Sequence, residues 1–253
     1  MIPYFTLERI PILNSDTFSF FFFFAFVAGY FWGARQGKKK GFKRSEINEF
    51  FCFTFIPACF GAHVFHVLAY APETLLTDPL YLLRLNKGLS SMGGIGSYFI
   101  FVYIFLRFKG QLHRWKEWLD MAAQGLIVGL LVGRIGCALV HDHLGTKTDF
   151  FLGMEYLGVV RHDLGIYEFL FLLLGLFPLS LYLSKKVTQP GAQVALFALV
   201  YPPVRFFFDS FRLEDYIVGG FTPAQYVCCL LFAFGLVVLR TMLVEKQNLQ
   251  QNQ

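Results

Sequence analysis

Seven stretches of the chain stay apolar over about the 20 residues a membrane-crossing helix needs: 17–34, 50–71, 89–107, 120–140, 164–184, 192–209 and 223–244. Polar residues gather in the short segments between them, and no internal repeat is visible. The pattern predicts an all-α, polytopic integral membrane protein with about seven transmembrane helices. It forms a single transmembrane domain over 1–253 with no soluble appendage. Glu8 and Asp16 precede the Phe20–Phe24 run and no small-residue cleavage site follows it, so this run reads as a retained span and not a signal peptide.

Composition supports that reading. Hydrophobic residues make up 56% of the chain and charged residues 15%, where water-soluble domains hold about a quarter charged residues. The 33 phenylalanines suit lipid-facing helices better than a soluble core. Cys52, Cys59, Cys137, Cys228 and Cys229 all fall in apolar stretches without zinc-type spacing, and read as small buried hydrophobes with no disulfide framework.

The net charge of +5 gains meaning from its distribution. The segments after spans one, three, five and seven carry Arg35, Lys38, Lys39, Lys40, Lys43 and Arg44, then Arg107, Lys109, Arg114 and Lys116, then Lys185 and Lys186, then Arg240 and Lys246. The alternate segments balance fewer cations with acids: Arg84 and Lys87 against Glu73 and Asp78, Lys147 and Arg161 against Asp142, Asp149, Glu155 and Asp163, and Arg212 against Glu214 and Asp215. Basic loops stay cytoplasmic, so the N-terminus is expected outside, the C-terminus inside, and "HDHLG" at 141–145 on the outer side.

Candidate chemistry clusters on that side. Arg134 lies between Gly133 and Ile135, with Gly129 and Gly136 close by, just before the outward end of span four. One reading is a cation snorkelling to the interface; the other is a guanidinium beside bare backbone, gripping phosphate bidentately. His141 and His143, with Asp142, His162 and Asp163 as further candidates, invite a metal reading. Histidines two apart point to different faces unless the helix has ended, and no metal is expected. His63 and His66, three apart on span two, are expected to be hydrogen-bonded structure. "SSMGGIGS" at 90–97 lacks the lysine of a phosphate loop and signals close packing or a broken helix end. Arg205, Asp209 and Arg212 share one helical face at i, i+4 and i+7, either as an intramembrane ion pair or as a second cationic site.

Taken together, these stretches resemble the prolipoprotein diacylglyceryl transferase family. "GRIGCALVHDHLG" resembles the family signature through Gly133, Arg134, Gly136 and Gly145. The segment from Gly88 to Gly110 resembles its glycine-rich region, with Gly93 and Gly94. "RHDLGIYE" resembles its HPxQLYE motif through His162, Tyr167 and Glu168. "RFFFDSFRLED" resembles its RFxxExxRxPD motif through Arg205, Arg212 and Asp215, and "FTPAQ" its TxGQ motif through Thr222 and Gln225. The departures are Met92, where the family has histidine, Cys137 and Val140, where it has asparagine, Asp142 in a glutamate position, and "HDLG" in place of HPxQ.

The resemblance implies a bacterial inner-membrane enzyme. It would move a diacylglyceryl group from phosphatidylglycerol to the lipobox cysteine thiol of a prolipoprotein, without a cofactor. The expected partners are phosphatidylglycerol, the prolipoprotein signal peptide and the lipid bilayer, with no nucleic acid. Arg134 and Arg212 would hold the phosphate, and a base would come from His141, His143 or His162. Gly133, Gly136, Gly145, Gly93, Gly94, Tyr167, Glu168, Arg205 and Gln225 would line the substrate. A divergent paralogue with another acceptor, or a non-catalytic lipid-binding or transport protein, stands as the alternative.

Overall fold

The structure is a computed structural model describing residues 5–10, 15–70, 72–83, 88, 90–213, 217 and 219–251. The loop residues Arg84, Lys87, Glu214 and Asp215 fall outside the described residues, as does the side chain of Met92. The chain divides into two compact units, Gly37–Trp115 and the remainder, Met1–Gln36 with Lys116–Gln253.

The larger unit opens with two short paired strands, β1 (Arg9–Ile10) and β2 (Ser15–Asp16), which lead into α1 (Thr17–Lys39). Asp16 Oδ2 accepts from Ser19 N at 2.7 Å, and that bond holds the carboxyl below its ordinary range at the helix start. α1 packs on α5 (Trp115–Val140) through small residues four apart, Ala25, Gly29 and Gly33 against Gly125, Gly129 and Gly133. A Cβ at Gly125 would stand 2.7 Å from the carbonyl oxygen of Gly29, so the two backbones touch as closely as helices can.

In the smaller unit, α2 (Arg44–Tyr70) and α4 (Ser91–Phe108) pack antiparallel, with Phe50 and Phe53 against Phe105 at one end and Gly61 against Gly93 at the other. A short helix, α3 (Pro72–Thr77), lies between them in sequence. His63 is fully buried, and its Nδ1 and Nε2 face the carbonyl oxygens of Gly88 and Tyr81 at 2.9 and 3.0 Å. It ties down the chain that follows α2, as expected of a structural histidine.

Beyond α5 the chain forms a three-stranded antiparallel sheet in the order β3 (Leu144–Lys147), β5 (Val159–Asp163), β4 (Met154–Tyr156). The all-α expectation is therefore corrected to a predominantly helical fold carrying a small sheet. Strands of four, five and three residues are too short to show an alternating pattern in sequence.

α6 (Leu164–Phe171) continues through a π turn at Leu172–Leu176 into α7 (Phe177–Lys186). Pro178 has no N–H to give the regular ladder at that point, which accounts for the local widening. α8 (Ala192–Asp209) and α9 (Pro223–Gln251) complete the unit. Asp120 of α5 accepts from the amides of Gly191, Gln193 and Val194 at 2.9–3.0 Å, a buried carboxylate placed on the start of α8.

Among the described residues, five helical stretches are long and apolar enough to cross a membrane: Thr17–Lys39, Arg44–Leu68, Leu112–Val140, Leu164–Lys186 and Pro223–Gln251. That is fewer than the seven expected. The third and sixth expected spans are the 18-residue helices α4 and α8. α8 gives up apolarity to Gln193, two prolines, Arg205 and Asp209. Phe23, Phe31, Ile56, Leu174, Leu230 and Val237 stand exposed on the helices, as a polytopic membrane protein requires of its lipid-facing surface. Cys52 and Cys229 are exposed as well, which corrects the expectation that all five cysteines are buried; all five are free thiols.

Candidate active site

The glycine stripe of α5 faces α1. A Cβ at Gly133 would meet Ala25 Cβ at 3.5 Å, and one at Gly136 would meet Phe21 Cβ at 2.8 Å. These glycines admit a neighbouring helix on the side of α1. One residue on from Gly133, about 100° around the helix, Arg134 points elsewhere, into the unit. Its Nη2 lies 2.9 Å from Glu168 Oε2 of α6. Arg134 is therefore directed inward, and the snorkelling alternative does not describe it.

Glu168 is 1% exposed and gathers three donors. Besides Arg134, Arg205 Nη1 stands 3.2 Å from Oε2, and the Tyr201 hydroxyl donates to Oε1 at 2.5 Å. Tyr201, Arg205 and Asp209 follow one another at i, i+4 and i+8 on α8. Asp209 Oδ1 lies 3.3 Å from Arg205 Nη2 and 3.9 Å from Arg212 Nη1, without a well-aligned hydrogen bond, while Oδ2 accepts from the Thr222 hydroxyl. Among the described residues, three guanidiniums thus face two buried carboxylates in one chain of contacts. Arg212, at the end of that chain, is the most open of the three, with its side chain 32% exposed.

Thr222 and Gln225 form a reciprocal cap on α9. Gln225 N donates to Thr222 Oγ1 at 3.2 Å, and Thr222 N donates to Gln225 Oε1 at 3.0 Å. The remaining amide of Gln225 reaches the Phe206 carbonyl and Ser210 Oγ at 3.4 and 3.2 Å. Gln225, expected to line the substrate, is engaged in holding the start of α9 against the end of α8.

The three candidate histidines separate. His141 is buried, with φ of 54°, and its Nδ1 and Nε2 each lie 2.6 Å from an acceptor, Asp163 Oδ2 and the Phe5 carbonyl. Asp163 also caps α6 through Ile166 N at 3.0 Å, and burial raises its carboxyl above the ordinary range. His143 pairs with Asp142. His162, on β5, is half-buried; its Nδ1 lies 3.1 Å from the Tyr167 hydroxyl and its ring packs on Phe211 at a centroid separation of 4.6 Å. Burial pushes its imidazole below the usual value of 6.5. Gly145 sits under this group: a Cβ there would meet the Phe211 carbonyl oxygen at 2.8 Å and His162 Cβ at 3.0 Å, and its backbone bridges to Arg212.

Gly93 and Gly94 belong to the smaller unit. A Cβ at Gly93 would stand 2.3 Å from the Gly61 carbonyl oxygen, while one at Gly94 would make an ordinary contact with Ala62. Their spacing serves the α2–α4 contact.

Two features escaped sequence reasoning. Tyr201 had a signal, its place one turn before Arg205 on the same face. The other is the place of Cys137 beside Asp142 and His143, which the metal reading includes: one ligand atom from each of the three lies within 4.8 Å of the others.

Comparison with known proteins gives a consistent result. The sequence model of prolipoprotein diacylglyceryl transferase matches residues 6–241. The chain is similar to phosphatidylglycerol–prolipoprotein diacylglyceryl transferases from Idiomarina loihiensis, at 28% identity over 85% of this chain and 84% of the relative. It is also similar to those from Campylobacter lari, at 27% over 83% and 82%, and Oleidesulfovibrio alaskensis, at 26% over 90% and 88%.

Proposed function

Because this chain belongs to the prolipoprotein diacylglyceryl transferase family, we propose that it moves an sn-1,2-diacylglyceryl group from phosphatidylglycerol to the lipobox cysteine thiol of a prolipoprotein. The observation that carries this reading is the convergence of Arg134, Arg205 and Arg212 on the buried carboxylates Glu168 and Asp209, with Arg212 the most open of the three. A site that must accept a phosphodiester needs positive charge held in place. Here the buried carboxylates hold the guanidiniums in fixed positions from which they can meet an anion.

In the proposed reaction the thiol proton leaves as sulfur attacks the glyceryl carbon. The carbon–oxygen bond to phosphorus breaks, and glycerol phosphate departs with the bonding electrons. Arg134 and Arg212 stabilise charge growing on the leaving phosphate. His162 takes the thiol proton. With Nδ1–H donating to the Tyr167 oxygen, its Nε2 carries the free lone pair, and its lowered pKa keeps it neutral near pH 7. His141, held between Asp163 and Phe5, and His143, paired with Asp142, are less suited to that task. Both units serve one membrane transferase, with seven crossings that include α4 and α8, the N-terminus outside and the C-terminus in the cytoplasm of a bacterial inner membrane.

Arg134→Lys tests this reading, since lysine keeps the charge and loses the planar fork. Transfer of labelled diacylglyceryl to a lipobox peptide should fall by about 10²–10³ in protein that still inserts. Near-normal transfer would remove Arg134 from the phosphate site. Met92, standing where the family has histidine, favours a second reading in which the acceptor differs. Restoration of prolipoprotein processing in cells depleted of their own transferase separates the two, because an enzyme with another acceptor fails to rescue.

A further inference from the structure

The end of α5 carries an arrangement that the transfer reaction does not use. The helix stops at Val140, and His141 adopts a left-handed conformation with its N–H on the Cys137 carbonyl at 2.9 Å. That reversal folds Asp142 and His143 back toward the last helical turn. Cys137 Sγ, a carboxylate oxygen of Asp142 and a ring nitrogen of His143 then fall within 4.8 Å of one another. Histidines two apart cannot share an ion while the helix continues. Here it has ended, and His141 is withdrawn by Asp163 and Phe5, which leaves His143 as the single histidine of the group.

We infer that Cys137, Asp142 and His143 form a binding site for a borderline-soft divalent cation of the zinc class. Ligand atoms around tetrahedral zinc, at roughly 2.0–2.3 Å from the metal, are about 3.5 Å apart, so the three close on an ion by small side-chain rotations. A thiolate, a carboxylate and an imidazole match zinc or cobalt and exclude magnesium and calcium, which take oxygen ligands. The charge balance is also favourable. The thiol gives up its proton to solvent as the metal–sulfur bond forms, and the two anionic ligands then cancel the dication. The filled site is neutral beside Arg134, whose Nη1 lies 3.5 Å from Cys137 Sγ and is placed to donate to the bound sulfur. Cys137 is buried while Asp142 is exposed and His143 half-exposed, so the ion enters from the solvent side and meets sulfur last. This site is independent of the transfer reaction, and its readout is binding.

The test is a Co2+ titration of the full chain in detergent micelles after chelator treatment. We expect one equivalent of Co2+ to raise a thiolate-to-cobalt charge-transfer band in the near ultraviolet, and Zn2+ to displace it. Cys137→Ser should remove the band, and His143→Gln should weaken binding by about tenfold or more. Absence of the band at one equivalent overturns the proposal. So does a band that survives Cys137→Ser, since the exposed Cys52 or Cys229 would then be the ligand. If Cys137→Ser fails to fold, His143→Gln decides alone: affinity and band unchanged from the wild type overturn the assignment.

Discussion

Replacing Glu168 by glutamine changes one charge and almost no volume. Glu168 is 1% exposed, pairs with Arg134 at 2.9 Å, and accepts from Arg205 at 3.2 Å and Tyr201 at 2.5 Å. Removing one partner of a buried ion pair costs about 3–5 kcal/mol, because the other charge is left unpaired in a poor solvent. The glutamine amide keeps one oxygen for Arg134 and Arg205, which share Oε2, and its NH2 can donate to the Tyr201 oxygen, so the lower end, about 3 kcal/mol, is expected. For a chain of this size roughly 1 kcal/mol shifts Tm by about 2–4 °C, which puts the loss near 6–12 °C. Diacylglyceryl transfer should fall too, since the arginines lose the anchor that sets their positions, and a shift of about 1 Å costs on the order of 10² in rate. The assay pairs thermal unfolding in micelles with transfer to a lipobox peptide. A Glu168→Gln protein that melts with the wild type and transfers at full rate would refute the account of Glu168 as the counter-ion that organises the cluster.

The orientation predicts that a C-terminal tag is reached only from the cytoplasm and that Thr146→Cys, on exposed β3, labels from outside; labelling of Thr146→Cys only in broken cells would reverse the topology. Burial holds the His162 pKa below 6.5, so transfer should be full above about pH 6.5 and fall as pH drops through that lowered value. His162→Gln should remove this acid limb, and a limb that persists in the variant would assign the base elsewhere. Chelation should leave transfer unchanged, because arginines supply the charge stabilisation; activity lost on chelation and restored by metal would make the ion part of the chemistry.

Local periodicity carried the long helices in the sequence, and the family motifs marked Arg134, Glu168, Arg205 and Arg212 as belonging together. What pairs with what was not legible. The partner of Arg134 is 34 positions away on α6, and no local pattern distinguishes Glu168 from a carboxylate facing Arg205 alone. The glycines of α5 were legible but ambiguous. A stripe at Gly125, Gly129 and Gly133 fits a ligand cleft or a helix contact equally well, and only the matching stripe at Ala25, Gly29 and Gly33 on α1 resolves it. In the same way "FTPAQ" reads as a motif until its reciprocal hydrogen bonds identify Thr222 and Gln225 as a cap. The sheet stayed hidden because its strands lie among mixed polar residues and its hairpin turns at Leu157 and Gly158, with φ of 50° and 75°. Leucine in a left-handed turn is not a recognisable turn signal.

The cost of the arginines and their proposed use are two sides of one arrangement. An ionised group at the centre of a spanning helix costs about 2.5–3.5 kcal/mol even on insertion scales; α5 carries Arg134 toward its end, and α8 carries Arg205 and Asp209. Glu168 reduces that cost for both at once, because Arg134 and Arg205 share its Oε2. A second buried carboxylate placed there would complete the neutralisation and leave nothing for a ligand. Asp209 instead stands one turn further along α8, 3.3 Å from Arg205 and 3.9 Å from Arg212. Arg205 is thereby held from both sides, while Arg134 and Arg212 stand at opposite ends of the chain of contacts. These are the two arginines assigned to the phosphate. Guanidiniums fixed in advance by buried carboxylates need little reorganisation when charge develops on a leaving group, and that is the condition under which electrostatic stabilisation lowers a barrier most.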